Sequence, residues 1–183
     1  MNGSLDVLAN RRAKKWSKNE QIGRILWAGV YPLFRFSPRP FWHWRTALLR
    51  LFGAKIGKNV HVYPTVIITI PWNIELGDHS AVGDRVILYA LGQITIKART
   101  TVSQGAHLCA GTHDYTQHDR PLLKPPIIIG EDVWVAADAF IGPGVAIGRG
   151  AIVGARAVVV KSVEARSIVG GNPARTIKKM AVE

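Results

Sequence analysis

The sequence predicts an all-β protein, a parallel β-helix of about five coils, and three observations carry that prediction. An aliphatic residue returns every six positions. A small or β-branched residue fills the fifth place of most units. The period fails at only two short steps and one long one.

The first places are Ile56, Val62, Ile68, Leu76, Val82, Leu88, Ile96, Val102, Leu108, Ile129, Val135, Ile141, Ile147, Val153 and Val159. All 15 are Ile, Leu or Val, although those types supply only 49 of the 183 residues, so the spacing is not a product of composition. Thirteen of the 15 fifth places hold Ser, Thr, Ala or Val, and the exceptions, Trp72 and Gly92, fall where the step lengthens to eight residues. A period this short signals a solenoid. Each unit reads as a short strand followed by a corner, and three units close one coil. A single coil cannot bury its own aliphatic row, whereas stacked coils form a continuous core. Glycine follows the first place at Gly57, Gly77, Gly83, Gly130, Gly142, Gly148 and Gly154. A tight corner there would favour a residue without Cβ.

Three segments follow from the period: an extension over 1–54, the repeat over 55–168 and a tail over 169–183. Residues 1–58 carry 12 Lys or Arg against Asp6 and Glu20, so nearly all of the net charge of +12 lies there. Trp16, Trp27, Trp42 and Trp44 lie there too. Basic residues mixed with interfacial aromatics suit peripheral contact with an anionic membrane surface. No nucleic-acid-binding motif accompanies the charge. Phe41 to Phe52 is expected to form a helix that caps the open first coil. The apolar stretch Ile25 to Phe34, flanked by Arg24 and Arg35, is too short to span a bilayer but can lie in its interface. The polar, basic start does not resemble a secretory signal. A lone cysteine, Cys109, suits a reducing cytoplasm. In the tail, Asn172-Pro173 reads as a turn, followed by a short helix bearing Arg175, Lys178 and Lys179.

Between Leu108 and Ile129 the step is 21 residues, so a loop near 113–126 must leave the coil. Long loops in compact domains are usually functional or disordered. Its start, Ala110-Gly111-Thr112-His113-Asp114-Tyr115, resembles the catalytic segment of hexapeptide-repeat O-acetyltransferases of the galactoside and maltose acetyltransferase group. The wider match is nearest to colanic-acid-biosynthesis acetyltransferases. It rests on Ser37-Pro-Arg-Pro40, Leu49-Arg-Leu-Phe-Gly-Ala-Lys-Ile56, Tyr89 with Leu91-Gly92, Val102-Ser103-Gln104, Leu108-Cys109, Val153-Gly-Ala-Arg-Ala-Val-Val-Val-Lys161 and Gly171-Asn-Pro-Ala-Arg175.

That resemblance implies a left-handed coil, although parallel crossovers are otherwise nearly always right-handed. It implies transfer of an acetyl group from acetyl-CoA to a sugar hydroxyl, with no metal. A hydroxyl needs a base near neutrality beside it, and histidine fits that need best. His113 is the expected base, oriented by a main-chain carbonyl or a carboxylate, with Asp84 and Asp114 as candidates. His43, His61, His79 and His107 read as structural, and so does Cys109, in a second-place slot where small residues belong. On the donor side the resemblance places Trp134 against the pantetheine arm, with Ala136, Ala137, Ala155, Val160 and Lys161 along it. Arg175 and Lys178 would meet the CoA phosphates. Tyr89, Ala90 and Tyr115 fall to the acceptor side. The nearest relatives are expected to carry asparagine where this chain has Ala90, which leaves the sugar open. Relatives of this kind are trimers with the site shared by two subunits, and the basic extension suits a lipid-linked glycan acceptor.

Rival readings use the same residues. A carbonic-anhydrase-like zinc protein would take His113 and His118, with His79 or His107 as a third ligand, yet His118 lies in an irregular loop. A non-catalytic scaffold leaves His113 and Trp134 without a task. An acetyltransferase of serine or another small molecule usually carries a different N-terminal helical domain.

Overall fold

A computed structural model describes residues 5–181. The repeat folds into three parallel ladders that form the faces of a stacked prism. The first face runs through Lys55–Ile56, Ile74–Leu76, Ile94–Ile96, Ile127–Ile129 and Ala146–Ile147. The second runs through His61–Val62, Ala81–Val82, Thr101–Val102, Trp134–Val135, Ile152–Val153 and Ser167–Gly170. The third comprises Ile67–Ile68, Ile87–Tyr89, His107–Cys109, Phe140–Ile141 and Val158–Val159. This makes five coils, and Val163, bridged to Ile147, starts a partial sixth.

First places pair with first places along each face, as in Leu76 with Ile96, Ile96 with Ile129 and Ile129 with Ile147. Their side chains fill the interior. Burying each such aliphatic side chain contributes about 1.5–3 kcal/mol. The small fifth places, among them Ser80, Ala106, Ala139, Ala151 and Ala157, are buried at the corners as expected.

The second-place glycines serve a different purpose from the one the sequence suggested. The left-handed conformation falls instead on the fourth places, held by Asn59, His79, Arg85, Arg99, Asp138 and Arg156. A Cβ on Gly77 would come within 2.5 Å of the Ala98 nitrogen in the next coil. Close stacking of coils therefore requires glycine at Gly57, Gly77, Gly130 and Gly148, and turn conformation does not.

Three helices precede the repeat: α1 (Val7–Arg12), α2 (Lys18–Arg35) and α3 (Trp42–Leu51). Helix α3 caps the first coil, as the sequence predicts. Its Leu48 and Leu49 join the main core, and its Arg45 is wholly buried. The Arg45 guanidinium donates to the carbonyls of Val62, Pro38 and Arg39 and to the Ser37 hydroxyl, so four of its five N–H groups are hydrogen-bonded. Helix α2 starts with a reciprocal cap between Ser17 and Glu20. It docks on the lengthened corner of the first coil: Trp27 Nε1 donates to the Ile68 carbonyl at 2.8 Å and Tyr31 to that of Val66 at 3.0 Å. Trp72, which breaks the fifth-place rule, lies so close to Gly23 that a Cβ there would sit 2.9 Å from its ring.

The tail departs from expectation. Arg175–Lys179 is a strand, not a helix, and pairs antiparallel with Ser167–Gly170. The physical reason is the open edge of the last second-face strand, whose main-chain groups need partners. The chain reverses after Gly171, at φ +93°, and returns along that edge.

Candidate active site

The long step leaves the prism at the end of the third face as a hairpin. Its base is a two-pair antiparallel ladder, Thr112 with Leu123 and His113 with Leu122. The Asp114 amide donates to the Pro121 carbonyl at 3.0 Å, extending the closure. Asp114 then ties the turn: its carboxylate accepts from the Thr116 amide and hydroxyl and from the Gln117 side chain. Those bonds, the Thr116 hydroxyl foremost, hold the carboxyl below its usual range. Tyr115, at the tip, is exposed.

His113 stands at the hairpin base with Nδ1 2.7 Å from the main-chain carbonyl of Arg120. A carbonyl oxygen can only accept, so in the neutral ring Nδ1 carries the proton and Nε2 the lone pair. That is the tautomer a general base needs. Of the two classes of orienting group expected, the structure supplies the main-chain carbonyl. Within one chain the two carboxylates bind other groups: Asp114 holds its own turn, and Asp84 binds Arg39 and the Thr65 hydroxyl. His113 lines a cavity of about 260 Å³ with Leu5, Val7 and Asn10 from the N-terminal segment and His118 from the hairpin.

The donor-side residues occupy the second face and the last coils. Trp134 points outward, half exposed, with its Nε1 donating to the Ser103 hydroxyl at 2.9 Å. Its neighbour Val135 points inward and is buried. Register places Trp134, Ile152, Ile168 and Lys178 in one lateral row. Three strand spacings separate the ends of that row, roughly 14 Å along the stack. Ala136 is buried and Ala137 partly so, while Ala155 and Val160 are exposed. Val160, Lys161 and Arg175 meet around a cavity of about 600 Å³. Lys179 joins them there and pairs with Glu164 at 2.5 Å.

The acceptor-side residues are dispersed. Tyr89 sits on the third face, edge-on to His107. Ala90 is wholly buried, so its methyl group touches core and not solvent, and Asn73 Nδ2 donates to its carbonyl at 3.0 Å. Cys109 is half-buried with its thiol pointed at the Gly111 carbonyl at 3.4 Å, and burial pushes its pKa up. Among the described residues no three His, Cys, Asp or Glu side chains cluster as a metal site.

The family described as bacterial transferase hexapeptide (six repeats) matches residues 126–161. An Escherichia coli (strain K12) protein described as "Putative colanic acid biosynthesis acetyltransferase WcaF" is 49% identical over 156 residues, 85% of this chain and 86% of that protein. The chain belongs to the hexapeptide-repeat acyltransferases. Two solved structures share its coil: a maltose O-acetyltransferase from Clostridium difficile 630, at TM-score 0.82 and 23% identity over 91% of this chain and 90% of that one; and the hexapeptide-repeat-containing acetyltransferase VCA0836 of Vibrio cholerae, at TM-score 0.84 and 25% identity over 91% and 95%.

The candidate site holds groups to which the sequence assigned no role. The Arg120 carbonyl is one, since a main-chain acceptor leaves no trace in residue type. Lys179, named in the sequence only as part of the tail, is another; reading the tail as a strand that covers an open edge would have placed it beside Lys161 and Arg175. Asn10, which lines the His113 cavity, had no signal at all.

Proposed function

We propose that this acyltransferase moves an acetyl group from acetyl-CoA directly to a sugar hydroxyl in exopolysaccharide or glycan assembly, with His113 as general base. The observation that carries this reading is the 2.7 Å contact from His113 Nδ1 to the Arg120 carbonyl, which leaves Nε2 free to accept. Nε2 takes the proton of the acceptor hydroxyl as its oxygen adds to the thioester carbonyl. The carbon–sulfur bond then breaks, and CoA leaves as the thiol with the proton returned by the imidazolium. Replacing His113 by Ala is expected to cut turnover about a hundred-fold or more, followed as free thiol release. Near wild-type turnover in a folded variant would sink the assignment.

The donor residues suit acetyl-CoA. The outward row from Trp134 to Lys178 offers an apolar bed parallel to the stack that ends in a cation. Lys161, Arg175 and Lys179 add positive charge for phosphates. His113 and Trp134 stem from different faces of the prism, so a shared site between subunits joins them most simply. The outward row of the third face, Ile67, Ile87, His107, Phe140 and Val158, is apolar but for one histidine. A homotrimer would cover it. Light scattering that returns a monomer mass would remove this arrangement.

Peripheral contact with the inner face of a membrane, and a lipid-linked acceptor, find support in α2. Its inner side buries Trp27 and Phe34, yet Ile22, Ile25, Leu26 and Leu33 form a second, exposed apolar side. Lys18, Arg24 and Arg35 lie on the same helix, and no helix among the described residues is long and apolar enough to cross a membrane. That composition fits a helix lying in an anionic interface. Ile25→Asp with Leu33→Asp should abolish co-sedimentation with vesicles containing phosphatidylserine; unchanged binding would dismiss the contact.

A further inference from the structure

We propose that Asn10 of α1 is a positioning residue for His113. The proposal rests on the reading of His113 as the base, and extends the working site to a segment that touches no reacting atom.

The Arg120 carbonyl is shared. It accepts from His113 Nδ1 at 2.7 Å and from Asn10 Nδ2 at 2.6 Å. Two lone pairs on the oxygen accommodate both donors. The Asn10 amide is itself locked: Nδ2 also donates to the Asp119 carbonyl at 2.7 Å, and Oδ1 accepts from Lys15 Nζ at 2.7 Å. Turning the amide over would set its oxygen against two carbonyl oxygens, so one orientation survives.

The hairpin cannot hold this carbonyl unaided. Arg120 lies beyond the two ladder pairs, in the turn, and adopts a left-handed conformation at φ +45° that a non-glycine residue resists. The N-terminal segment straps the hairpin at both sides of that point. The Asp6 amide donates to the His118 carbonyl at 2.9 Å, and Lys124 donates to the Lys15 carbonyl at 3.2 Å while lying 3.6 Å over the Trp16 ring. None of the α1 residues is buried, so this helix adds nothing to the core. Its contacts go to the hairpin. Asn10 sets the Arg120 carbonyl, the carbonyl sets the Nδ1 proton, and the proton sets which ring nitrogen faces the acceptor.

Two substitutions in the full-length protein test this. Asn10→Ala removes both donated bonds. Asn10→Asp has the same shape but puts a carboxylate oxygen against the two carbonyls. We expect kcat to fall about five- to tenfold in the first and further in the second, with KM for acetyl-CoA within twofold and the melting temperature little changed. In a His113→Ala background neither substitution should lower the residual rate again, because its route of action is gone. Long-range ¹H–¹⁵N spectra should show His113 as one tautomer in the wild type and as a mixture in the Asn10 variants, whatever their rates. The positioning role falls if Asn10→Ala keeps kcat within twofold, or loses as much in the His113→Ala background as in the wild type. A fully active His113→Ala variant would instead remove the base assignment, and the role of Asn10 with it.

Discussion

Trp134 and His113 hold the two sides of the candidate site by different forces. Trp134 belongs to a two-residue strand whose other member, Val135, is buried and laddered to Val102 above and Val153 below. Its direction is fixed by the core. His113 belongs to a hairpin with two ladder pairs, and its ring is aimed by a carbonyl that α1 shares. Its direction is fixed by hydrogen bonds across the surface. A groove for a large invariant donor gains from a rigid wall. The proposed base, which must meet an incoming hydroxyl, can sit on a more adjustable support.

The sharpest way to break this comparison is through stability. Leu108→Ala, in the third-face core next to the hairpin, should cost about 2–5 kcal/mol, because the stacked neighbours cannot close the cavity. Leu123→Ala, in the hairpin and partly exposed, should cost less than about 1 kcal/mol. Urea midpoints measure both. Equal losses would mean that the hairpin folds as one unit with the coils, and the contrast would dissolve.

Kinetics sharpen the same contrast at a smaller scale. Trp134→Ala should raise KM for acetyl-CoA about tenfold while changing kcat little, the signature of binding lost equally in ground and transition states. The Asn10 and His113 variants should do the reverse. A Trp134 variant that loses kcat alone would move this residue to the chemical side of the site.

The contrast also explains how far the sequence could be read. Six-residue spacing dictates which side chains turn inward, so the core, the outward Trp134 and the five coils follow from it. The break in spacing locates His113 by the same logic. Arg120, Asn10 and Lys124 follow no period: Asn10 meets Arg120 across 110 positions, and the main-chain carbonyl it meets is one that any residue could supply. The tail misled for a related reason. Arg175 and Lys178 suit one side of a helix, but an unpaired strand edge decided the outcome. Ala90 shows the limit from inside the repeat, where a wholly buried side chain cannot report on an acceptor.

The smallest effect separates the two regions by acid. In the coils, His107 is wedged between Tyr89 and Phe140, its Nε2 buried without a partner, and burial pushes its pKa down. The unfolded chain therefore binds a proton more readily than the folded one. Stability from this group is complete above the unfolded value near 6.5 and is lost as pH falls toward the lower folded value. Partial exposure keeps the loss below about 1 kcal/mol. In the hairpin, Asp114 is held low by Thr116 and Gln117, so its contribution persists until pH drops below the unfolded carboxyl value near 3.9. Between pH 7.5 and 5.5 acid should thus reach the coil through His107 while leaving the Asp114 turn intact. Melting curves of wild type and His107→Phe over that range decide it. The substitution should flatten the decline, since a phenyl ring keeps the edge-to-face packing and has nothing to protonate; an unchanged slope would assign the acid response to the other histidines.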